Sequence, residues 1–180
     1  YKSIFAYRKN RGNNLCTLMK IKSKEFLRSL GKNKIDHPKW SIKEPDSRDW
    51  LKKSFSSFGG LDIKESINKS KLKNNEYFQK IEKGDHISVQ FFSQKKKINI
   101  LSICDQYFLK ETGKPFVIKG IISKNIKLSL LKRLKVIVSK LSKIYNLNGI
   151  NNLDLVLRKV SGKIFVIELN GRPGLSTNLI

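Results

Sequence analysis

The clearest periodic pattern in the chain lies between Ser129 and Tyr145, where apolar residues recur at helical spacing and lysines occupy the opposite side. An α-helix has 3.6 residues per turn, so apolar positions three and four apart line one face. The segment is therefore predicted to be a helix that buries one face in a core. Asn148 and Gly149 are expected to terminate it, because both residue types favour helix ends.

A second, shorter helix is predicted to begin after Ser23, because serine commonly caps helix N-termini. Gly31 is placed to end this helix, since glycine accepts the backbone conformation found just beyond a last turn. The apolar face of the helix consists of Phe26, Leu27 and Leu30. A connector with two prolines follows, so the helix is expected to be a short element.

Short apolar runs separated by glycine, serine or lysine turns predict β-strands in the middle of the chain. Residues 49–63 read as a strand, a Ser/Gly loop and a second strand, and residues 64–75 as a surface turn or a short helix. Further strands are predicted at Tyr77–Ile81, His86–Phe92 and Ile98–Cys104. Residues 83–85 are expected to form the turn between the first two, and the third is expected to pair back on the second.

The composition favours a folded chain rather than a disordered or membrane-spanning one. Hydrophobic residues make up 39% of the 180 residues and are spread along the whole length, which is enough for a core. No apolar run approaches the roughly 18 to 20 residues that a membrane helix needs, and no signal peptide is recognised, so a cytoplasmic location is expected. Cys16 and Cys104 are far apart and are interpreted as small apolar fillers, not as a disulfide or a zinc site.

The net charge of +24 makes nucleic acid and other polyanions candidate partners. Most of this charge is lysine scattered through every segment, a pattern that a genome-wide coding bias also produces. No RNP aromatic motif, zinc-finger spacing or basic-zipper heptad accompanies it. Nucleic-acid binding is therefore the less favoured interpretation, although the charge does not exclude it.

The hairpin near the C-terminus allows a geometric prediction from strand periodicity. The stretch NNLDLVLRKVSGKIFVIELNGRPG reads as two strands joined by a turn at Ser161 and Gly162. With the turn centred on Ser161, Asp154 and Glu168 are equally far from the centre and lie opposite each other. Side chains in that relation have Cβ atoms roughly 4.5 to 5.5 Å apart. Two carboxylates that close raise each other's pKa unless a cation lies between them.

A metal site is predicted on the same face of this hairpin. Asn170 lies two residues beyond Glu168 and therefore projects from the same side of its strand. With Asp154, these residues form an oxygen-only ligand set that suits Mg²⁺ or Mn²⁺, and no histidine or cysteine is near to favour zinc. The alternative is that both acids are solvated residues on an exposed sheet face, each paired with a lysine.

A second candidate feature is a lysine followed by a small, flexible loop in DWLKKSFSSFGGLDI. Backbone N–H groups in such a loop can approach phosphate oxygens without interference from large side chains. The loop residues concerned are Ser57, Gly59 and Gly60. Lys53 supplies a cation at the strand end, with Lys52 or Lys43 as alternative phosphate ligands. A simple hairpin turn is the alternative for the loop, because its spacing is not that of a Walker A motif.

These stretches together resemble the ATP-grasp superfamily, in particular the branch of the pyrrolysine-biosynthesis ligase and the tyramine–glutamate ligase of methanofuran synthesis. WLKKSFSSFGGLDI resembles the ATP-binding lysine and loop, YFQKIEKGDHISVQFF the hinge strand beside adenine, and the C-terminal hairpin the metal block. The resemblance implies an α/β fold that holds a nucleotide between two α+β lobes. The implied parts are residues 1–22 as the remnant of an N-terminal region, 23–81 as the small lobe and 82–180 as the large lobe.

The resemblance also implies a role for each candidate residue. Lys53 contacts the phosphates beneath the glycine loop, and Arg172 lies beside the transferring phosphate. The hinge residues implied to contact the base and the ribose are Gln79, Lys80, Ile81, Glu82 and Asp85. The implied ligands of Mg²⁺ or Mn²⁺ are Asp154, Glu168 and Asn170.

The implied activity is ATP-dependent ligation of a carboxylate to an amine through an acyl phosphate, in cofactor or small-molecule biosynthesis. The partners are then the two small-molecule substrates, with no membrane and with a homodimer left open. Two alternatives stand beside it, a basic nucleic-acid-binding protein and an ATP-binding subunit without catalytic activity. Gln106 is interpreted as a structural residue at a strand end, with a place on the substrate side as its alternative. His37 and His86 are interpreted as non-catalytic.

Overall fold

Two antiparallel sheets follow one another along the chain, in agreement with the predicted mixture of helices and strands. The computed structural model describes residues 12–47, 49–55, 60, 63–65, 72–95, 97–109 and 116–179. The strands of the smaller sheet are β1 (Trp40–Ser41), β2 (Trp50–Ser54), β3 (Lys64–Glu65) and β4 (Glu76–Lys80). Their order across the sheet is β1-β4-β2-β3, and the first strand predicted within residues 49–63 is confirmed as β2. Its partner β3 begins only at Lys64, so the prediction of a turn or short helix for residues 64–75 is wrong at this strand.

The larger sheet has five strands in the second part of the chain. These are β5 (Asp85–Gln94), β6 (Lys97–Phe108), β7 (Ile118–Ser123), β8 (Gly149–Leu157) and β9 (Ile164–Asn170). Their order is β7-β6-β5-β8-β9, and the predicted pairing of β6 back on β5 is confirmed. The helices are α1 (Leu15–Ile21), α2 (Lys24–Lys32) and α3 (Leu128–Tyr145), with a 3₁₀ helix at Leu175–Leu179. Within the described residues, no helix combines the length and the apolar character that crossing a bilayer requires.

The chain crosses from the smaller to the larger sheet after β4, where the sequence predicts a turn between two strands. Because β4 and β5 lie in different sheets, residues 83–85 do not join neighbouring strands, and Asp85 is the first residue of β5. A Cβ on Gly84 would lie 2.4 Å from the carbonyl oxygen of Leu157, so this crossing leaves no room for a side chain. The chain enters the smaller sheet beside the point where it leaves it, since the N–H of Lys80 at the end of β4 donates to the carbonyl of Lys39, just before β1, at 2.8 Å.

Helix α2 begins where the sequence predicts but ends later. The Oγ of Ser23 accepts a hydrogen bond from the N–H of Glu25 at 3.2 Å, so the predicted cap is confirmed. The helix continues through Gly31, because the cap at its other end is formed by Asn33. The side-chain amide of Asn33 donates to the carbonyl of Ser29 at 2.8 Å and satisfies one of the last free carbonyls.

Helix α3 confirms the predicted long helix, and only its end differs. Asn146 has a left-handed backbone, with φ 48° and ψ 49°, and its N–H donates to the carbonyl of Ser142. This residue ends the helix, so the prediction that Asn148 and Gly149 terminate it is wrong by two to three positions. Gly149 is instead the first residue of β8. The face that α3 turns inward is fully buried at Leu134, Val138 and Leu141.

The β8–β9 hairpin places Asp154 opposite Glu168, as the sequence predicts. The predicted centre at Ser161 does not hold for the pairs nearer the turn, because Leu155 pairs with Val166. The register changes between Asp154 and Leu155, which leaves Ile167 as an extra residue in β9. The two acids therefore face each other because a bulge shifts one strand by one position.

The core lies between the larger sheet and helices α2 and α3. Phe26 of α2 packs against Tyr145 of α3, with ring centroids 6.0 Å apart. Helix α2 thus packs on α3, which covers the larger sheet. The predicted division instead groups α2 with the small lobe. Burying an apolar side chain of this size contributes about 1.5–3 kcal/mol.

Cys104 is buried as predicted, but Cys16 is exposed, so its interpretation as an apolar filler is wrong.

Candidate functional site

A cleft between the two sheets collects most of the residues selected from the sequence. Those that line it are Lys53, Gly60, Gln79, Lys80, Ile81, Glu82, Asp154, Glu168, Asn170 and Arg172. Asp85, although described, is not a lining residue, and one of its oxygens lies 3.2 Å from Nζ of Lys159. Ser57 and Gly59 lie outside the described residues. One cleft therefore contains candidate phosphate, hinge and metal residues from both sheets.

The floor of the cleft changes from apolar to polar along β5 and β8. His86 of β5 pairs with Val156 of β8, and the ring of His86 meets that of Phe108 at 4.8 Å. Two residues further along β5, Ser88 pairs with Asp154. Residues two apart in a strand share a face. The same face therefore offers an apolar surface near the crossing after β4 and oxygen ligands further along.

The polar end is built on the opposed acids of the hairpin. Asp154 and Glu168 both line the cleft, and Nδ2 of Asn170 donates to Oδ2 of Asp154 at 3.2 Å. Burial raises the pKa of Asp154 to about 6, and the charge of Glu168 acts in the same direction. The effect of Glu168 is the repulsion predicted for two carboxylates without a cation between them. The three predicted ligands are therefore together on one face.

Two amides support Asp154 in addition to Asn170. Nε2 of Gln106 donates to Oδ1 of Asp154 at 2.9 Å, and Nδ2 of Asn152 donates to the same oxygen at 3.1 Å. Gln106 lines the cleft and holds Asp154 there, and its place on the substrate side stays a prediction. Asn152 was not selected from the sequence. Its position two residues before Asp154, on the same face of β8, is the signal that could have found it.

Lys22, which follows α1, is a further residue that sequence reasoning missed. Its Nζ contacts Oε1 of Glu168 and donates to Oδ1 of Asn170 at 2.8 Å. The contact joins segments that are 146 residues apart in the chain. No local pattern distinguishes Lys22 from the many other basic residues, so only the tertiary structure identifies it.

Lys53 is the candidate lysine that reaches the cleft. Only 6% of Lys53 is exposed, and its Nζ donates to Oε1 of Gln79 at 3.1 Å. Successive side chains of a strand point to opposite faces. Lys52 accordingly does not line the cleft, and its Nζ lies 3.0 Å from Oε2 of Glu76. Lys43 is exposed beyond β1 and does not line the cleft. The geometry thus favours Lys53 over both alternatives.

Gly60 is the described end of the predicted phosphate loop. It has a positive φ of 77°, and a Cβ at this position would lie 2.0 Å from the carbonyl oxygen of Phe116. Both observations require glycine, because other residues rarely adopt this backbone and none could fit so close to a carbonyl. The loop end is therefore fitted against Phe116, which also lines the cleft.

The acids proposed for the ribose differ in position. Glu82 lines the cleft, and its Oε2 accepts a hydrogen bond from Nη2 of Arg158 at 2.6 Å. Asp85 is turned towards Lys159 and Lys124, at 3.2 Å and 4.0 Å. Between the two residues left open by the sequence, Glu82 is thus the one at the cleft.

His86 lines the apolar end of the cleft as a neutral side chain. Burial lowers its pKa below the usual value, the positive charge of Lys53 lowers it further, and Asp85 acts in the opposite direction. A neutral imidazole packed on Phe108 forms part of an apolar wall. His37 lies elsewhere, with Nδ1 2.9 Å from the carbonyl oxygen of Ile35.

Comparison with known proteins supports a single family. A model described as an ATP-grasp domain matches residues 20–176. No match to a curated protein was found. Solved structures with similar folds include an L-amino acid ligase from Bacillus licheniformis, with a TM-score of 0.71, 18% identity, and coverage of 90% of this chain and 43% of that chain.

Two further solved structures show the same similarity of fold. One is N5-carboxyaminoimidazole ribonucleotide synthetase from Thermotoga maritima, with a TM-score of 0.71, 18% identity, and coverage of 92% of this chain and 45% of that chain. The other is D-alanine–D-alanine ligase from Bacillus anthracis complexed with ATP, with a TM-score of 0.66, 17% identity, and coverage of 93% and 61%. This chain spans less than two thirds of the length of each of the three proteins.

Proposed function

This chain belongs to the ATP-grasp family and has its fold, and we propose that it is the nucleotide-binding part of an ATP-dependent carboxylate–amine ligase. The proposed reaction proceeds through an acyl phosphate and produces an amide, ADP and phosphate. The proposed role is in the biosynthesis of a cofactor or another small molecule, in line with the branch that the sequence motifs resemble. The substrates are a small carboxylic acid and an amine, and a homodimer remains part of the proposal.

The observation that carries this proposal is the composition of one cleft. Lys53 and Gly60 approach it from the smaller sheet and its loop, while Asp154, Glu168 and Asn170 approach it from the larger one. A nucleotide triphosphate needs a cation and free N–H groups for its phosphates and oxygen ligands for its metal. These groups come from segments about a hundred residues apart in the chain. Unrelated solvated charges would be scattered over the surface and would not converge on one cleft.

The residues at the polar end fit a divalent metal. Burial raises the pKa of Asp154, and the charge of Glu168 beside it raises the pKa further. A bound dication would remove the cost of this repulsion. Two carboxylates and an amide oxygen match the few oxygen ligands that proteins usually offer Mg²⁺. Mg²⁺ or Mn²⁺ held by Asp154, Glu168 and Asn170 would supply charge neutralisation for the terminal phosphates of ATP.

The residues at the other end fit the base and ribose of a nucleotide. Apolar side chains there include Phe108, Phe116 and Val156, and the ring of His86 packs against Phe108. Nε2 of Gln79 is buried without a hydrogen-bond partner among the described residues, so a donor remains for a bound ligand. The backbone from Gln79 to Ile81 is proposed to contact adenine, and Glu82 to contact the ribose in preference to Asp85.

The chain's own residues prepare the transfer of the γ-phosphoryl group. Lys53, fixed by Gln79, is proposed to offset the charge on the phosphates, and Arg172 to offset the charge on the transferring group. The substrate carboxylate oxygen bonds to the γ-phosphorus as the bond to ADP breaks. The amine nitrogen then attacks the acyl carbon, loses a proton, and displaces phosphate. No protein nucleophile takes part in either step.

The test is a screen of ADP release by the full-length protein with pairs of amino acids and amines, in the presence of Mg²⁺. ADP release that requires both a carboxylate and an amine is expected. Binding of a fluorescent ATP analogue, with and without Mg²⁺, separates the ligase from the two alternatives. Salt-sensitive binding of nucleic acid without nucleotide binding would favour the basic nucleic-acid-binding protein, and nucleotide binding without turnover would favour the inactive subunit.

A further inference from the structure

The side chain of Lys22 reaches the place where a divalent metal is proposed to bind, so the following inference rests on the proposed function. Its Nζ contacts Oε1 of Glu168 and donates to Oδ1 of Asn170 at 2.8 Å. Asn170 in turn donates through Nδ2 to Asp154 at 3.2 Å. One ammonium group therefore bridges two proposed ligands and is linked through Asn170 to the third.

An ammonium group and a divalent metal compete for the same oxygen atoms. Mg²⁺ requires its ligands at about 2.0–2.1 Å in a nearly octahedral shell, whereas an ammonium group contacts carboxylate oxygens at about 2.7–2.9 Å. A metal bound to Oε1 of Glu168 and Oδ1 of Asn170 would lie within about 5 Å of the ammonium group that shares these oxygens, so the two cations would repel each other. Lys22 therefore opposes binding of a metal unless its ammonium group moves away from these oxygens.

The backbone around Lys22 is held in place on both sides. In α1, Oγ1 of Thr17 donates to the carbonyl of Tyr145 at 3.2 Å. After Lys22, Ser23 caps α2, whose Phe26 is packed on the same Tyr145. The ammonium group is therefore tethered near the two carboxylates, and it competes at a high effective concentration.

We infer that Lys22 is a built-in competitor of the metal. In the nucleotide-free protein it offsets the charge of Glu168 and lowers the affinity of the site for a free divalent cation. A metal that arrives with a nucleotide brings phosphate oxygens as further ligands, and these compensate for the displacement of the lysine. Lys22 thereby makes metal binding depend on the nucleotide.

The test measures how tightly the nucleotide-free full chain binds Mn²⁺. Binding is detected as the loss of the electron paramagnetic resonance signal of free Mn²⁺. Lys22→Met and Lys22→Gln are expected to bind Mn²⁺ about tenfold more tightly than the unchanged protein, a gain between those of exposed and buried ion pairs. Lys20→Met removes an exposed lysine from the last turn of α1, two residues before Lys22, and is the matched control, with affinity unchanged within about twofold. Equal or weaker Mn²⁺ binding in both Lys22 variants would overturn the inference.

Thermal unfolding of the same variants provides a second readout. Without metal, Lys22→Met is expected to have a lower Tm than the unchanged protein, because Glu168 loses its cation. Addition of Mn²⁺ is expected to raise the Tm of Lys22→Met by more than it raises the Tm of the unchanged protein, because tighter binding stabilises the folded state more. A lower Tm together with no larger gain from Mn²⁺ would assign Lys22 a structural role and overturn the inference.

Mn²⁺ binding in the presence of a non-hydrolysable ATP analogue separates this inference from the proposed function. If the unchanged protein binds no Mn²⁺ with the analogue, the proposed function fails. If it binds Mn²⁺ with the analogue, but the Lys22 variants bind free Mn²⁺ no more tightly than it does, the inference about Lys22 fails alone.

Discussion

Lys52 and Lys53 are neighbours in β2, yet their side chains end on opposite sides of the smaller sheet. Lys52 pairs with Glu76 at 3.0 Å, and Lys53 donates to Gln79 at 3.1 Å within the cleft. The alternation of a β-strand thus places one lysine in a partly buried ion pair outside the cleft and the other as a buried cation within it. This pair provides an internal control for the role of charge in the cleft.

Removing the buried lysine is expected to weaken nucleotide binding. Lys53→Met should lower the affinity for a fluorescent ATP analogue by about ten- to hundredfold, because a charge-assisted contact to phosphate is lost. Lys52→Met should change that affinity by less than about twofold and should lower the free energy of unfolding by about 1–2 kcal/mol, since it ends a partly buried ion pair whose contribution lies between those of exposed and buried pairs. Equal effects of the two substitutions would contradict the placement of Lys53 beside the phosphates.

The carboxyl group of Asp154 is expected to make the metal-free protein less stable as pH rises. Its pKa is raised from 3.8 to about 6 by burial and by Glu168. Between these values the folded state binds more protons than the unfolded state, so the free energy of unfolding falls as pH increases through the window. The full shift corresponds to at most about 3 kcal/mol, and water around the half-buried group reduces it.

Urea unfolding between pH 4 and 7 in EDTA measures this effect. The fall in the free energy of unfolding should be larger in the unchanged protein than in Asp154→Asn, which cannot titrate at this position. Glu76, whose pKa is lowered, contributes with the opposite sign in both proteins and cancels in the comparison. Identical pH dependence of the two proteins would show that Asp154 does not carry a raised pKa.

Glu168→Gln is expected to abolish turnover and to weaken ATP binding mainly in its Mg²⁺-dependent part. The amide keeps the size of the side chain but removes the charge that a dication requires. The measurement is the ratio of analogue affinities with Mg²⁺ and with EDTA, which should fall by about tenfold or more relative to the unchanged protein. Glu25→Gln removes an acid from the first turn of α2 and should leave the ratio unchanged. Unchanged ADP release in Glu168→Gln would remove this residue from the site.

Gly60→Ala is expected to disturb the loop end and the cleft. The added Cβ would lie 2.0 Å from the carbonyl oxygen of Phe116, at a residue whose φ is 77°. The strained backbone of the new alanine and the displacement of Phe116 together should lower the free energy of unfolding by about 1–3 kcal/mol. They should also weaken binding of the nucleotide analogue. Gly120→Ala is the control, because nothing lies within 4 Å of its added Cβ. Thermal unfolding and analogue titration of both variants check this, and similar Tm values would contradict it.

Periodic segments were predictable because their patterns are local. The apolar spacing in α3 requires a one-sided helix, and the alternation in β8 and β9 determines which residues share a face. Asp154, Glu168 and Asn170 therefore appear together in the structure as in the prediction. The termination of α3 was misjudged, because Asn146 has the same left-handed preference as the later residues and comes first.

Features that depend on distant contacts were not predictable. The bulge at Ile167 has no marker in the hairpin, and the predicted opposition of the two acids is correct although its assumed turn centre is not. Lys22 could not be distinguished from other lysines without the contact to Glu168. The local pattern at residues 83–85 predicts a turn between paired strands, because a turn and a crossing contain the same residue types, and only the lobe boundary implied by the resemblance separates β4 from β5.

The hydrogen bond between Lys80 and Lys39 has an evolutionary consequence. The strands of the smaller sheet all lie between these two residues in the chain, so this sheet is an insertion whose ends are adjacent. An exchange of that whole segment between genes would leave the two flanking ends already within bonding reach. Selection could thus replace the smaller sheet while the acidic pair of the larger sheet stays unchanged.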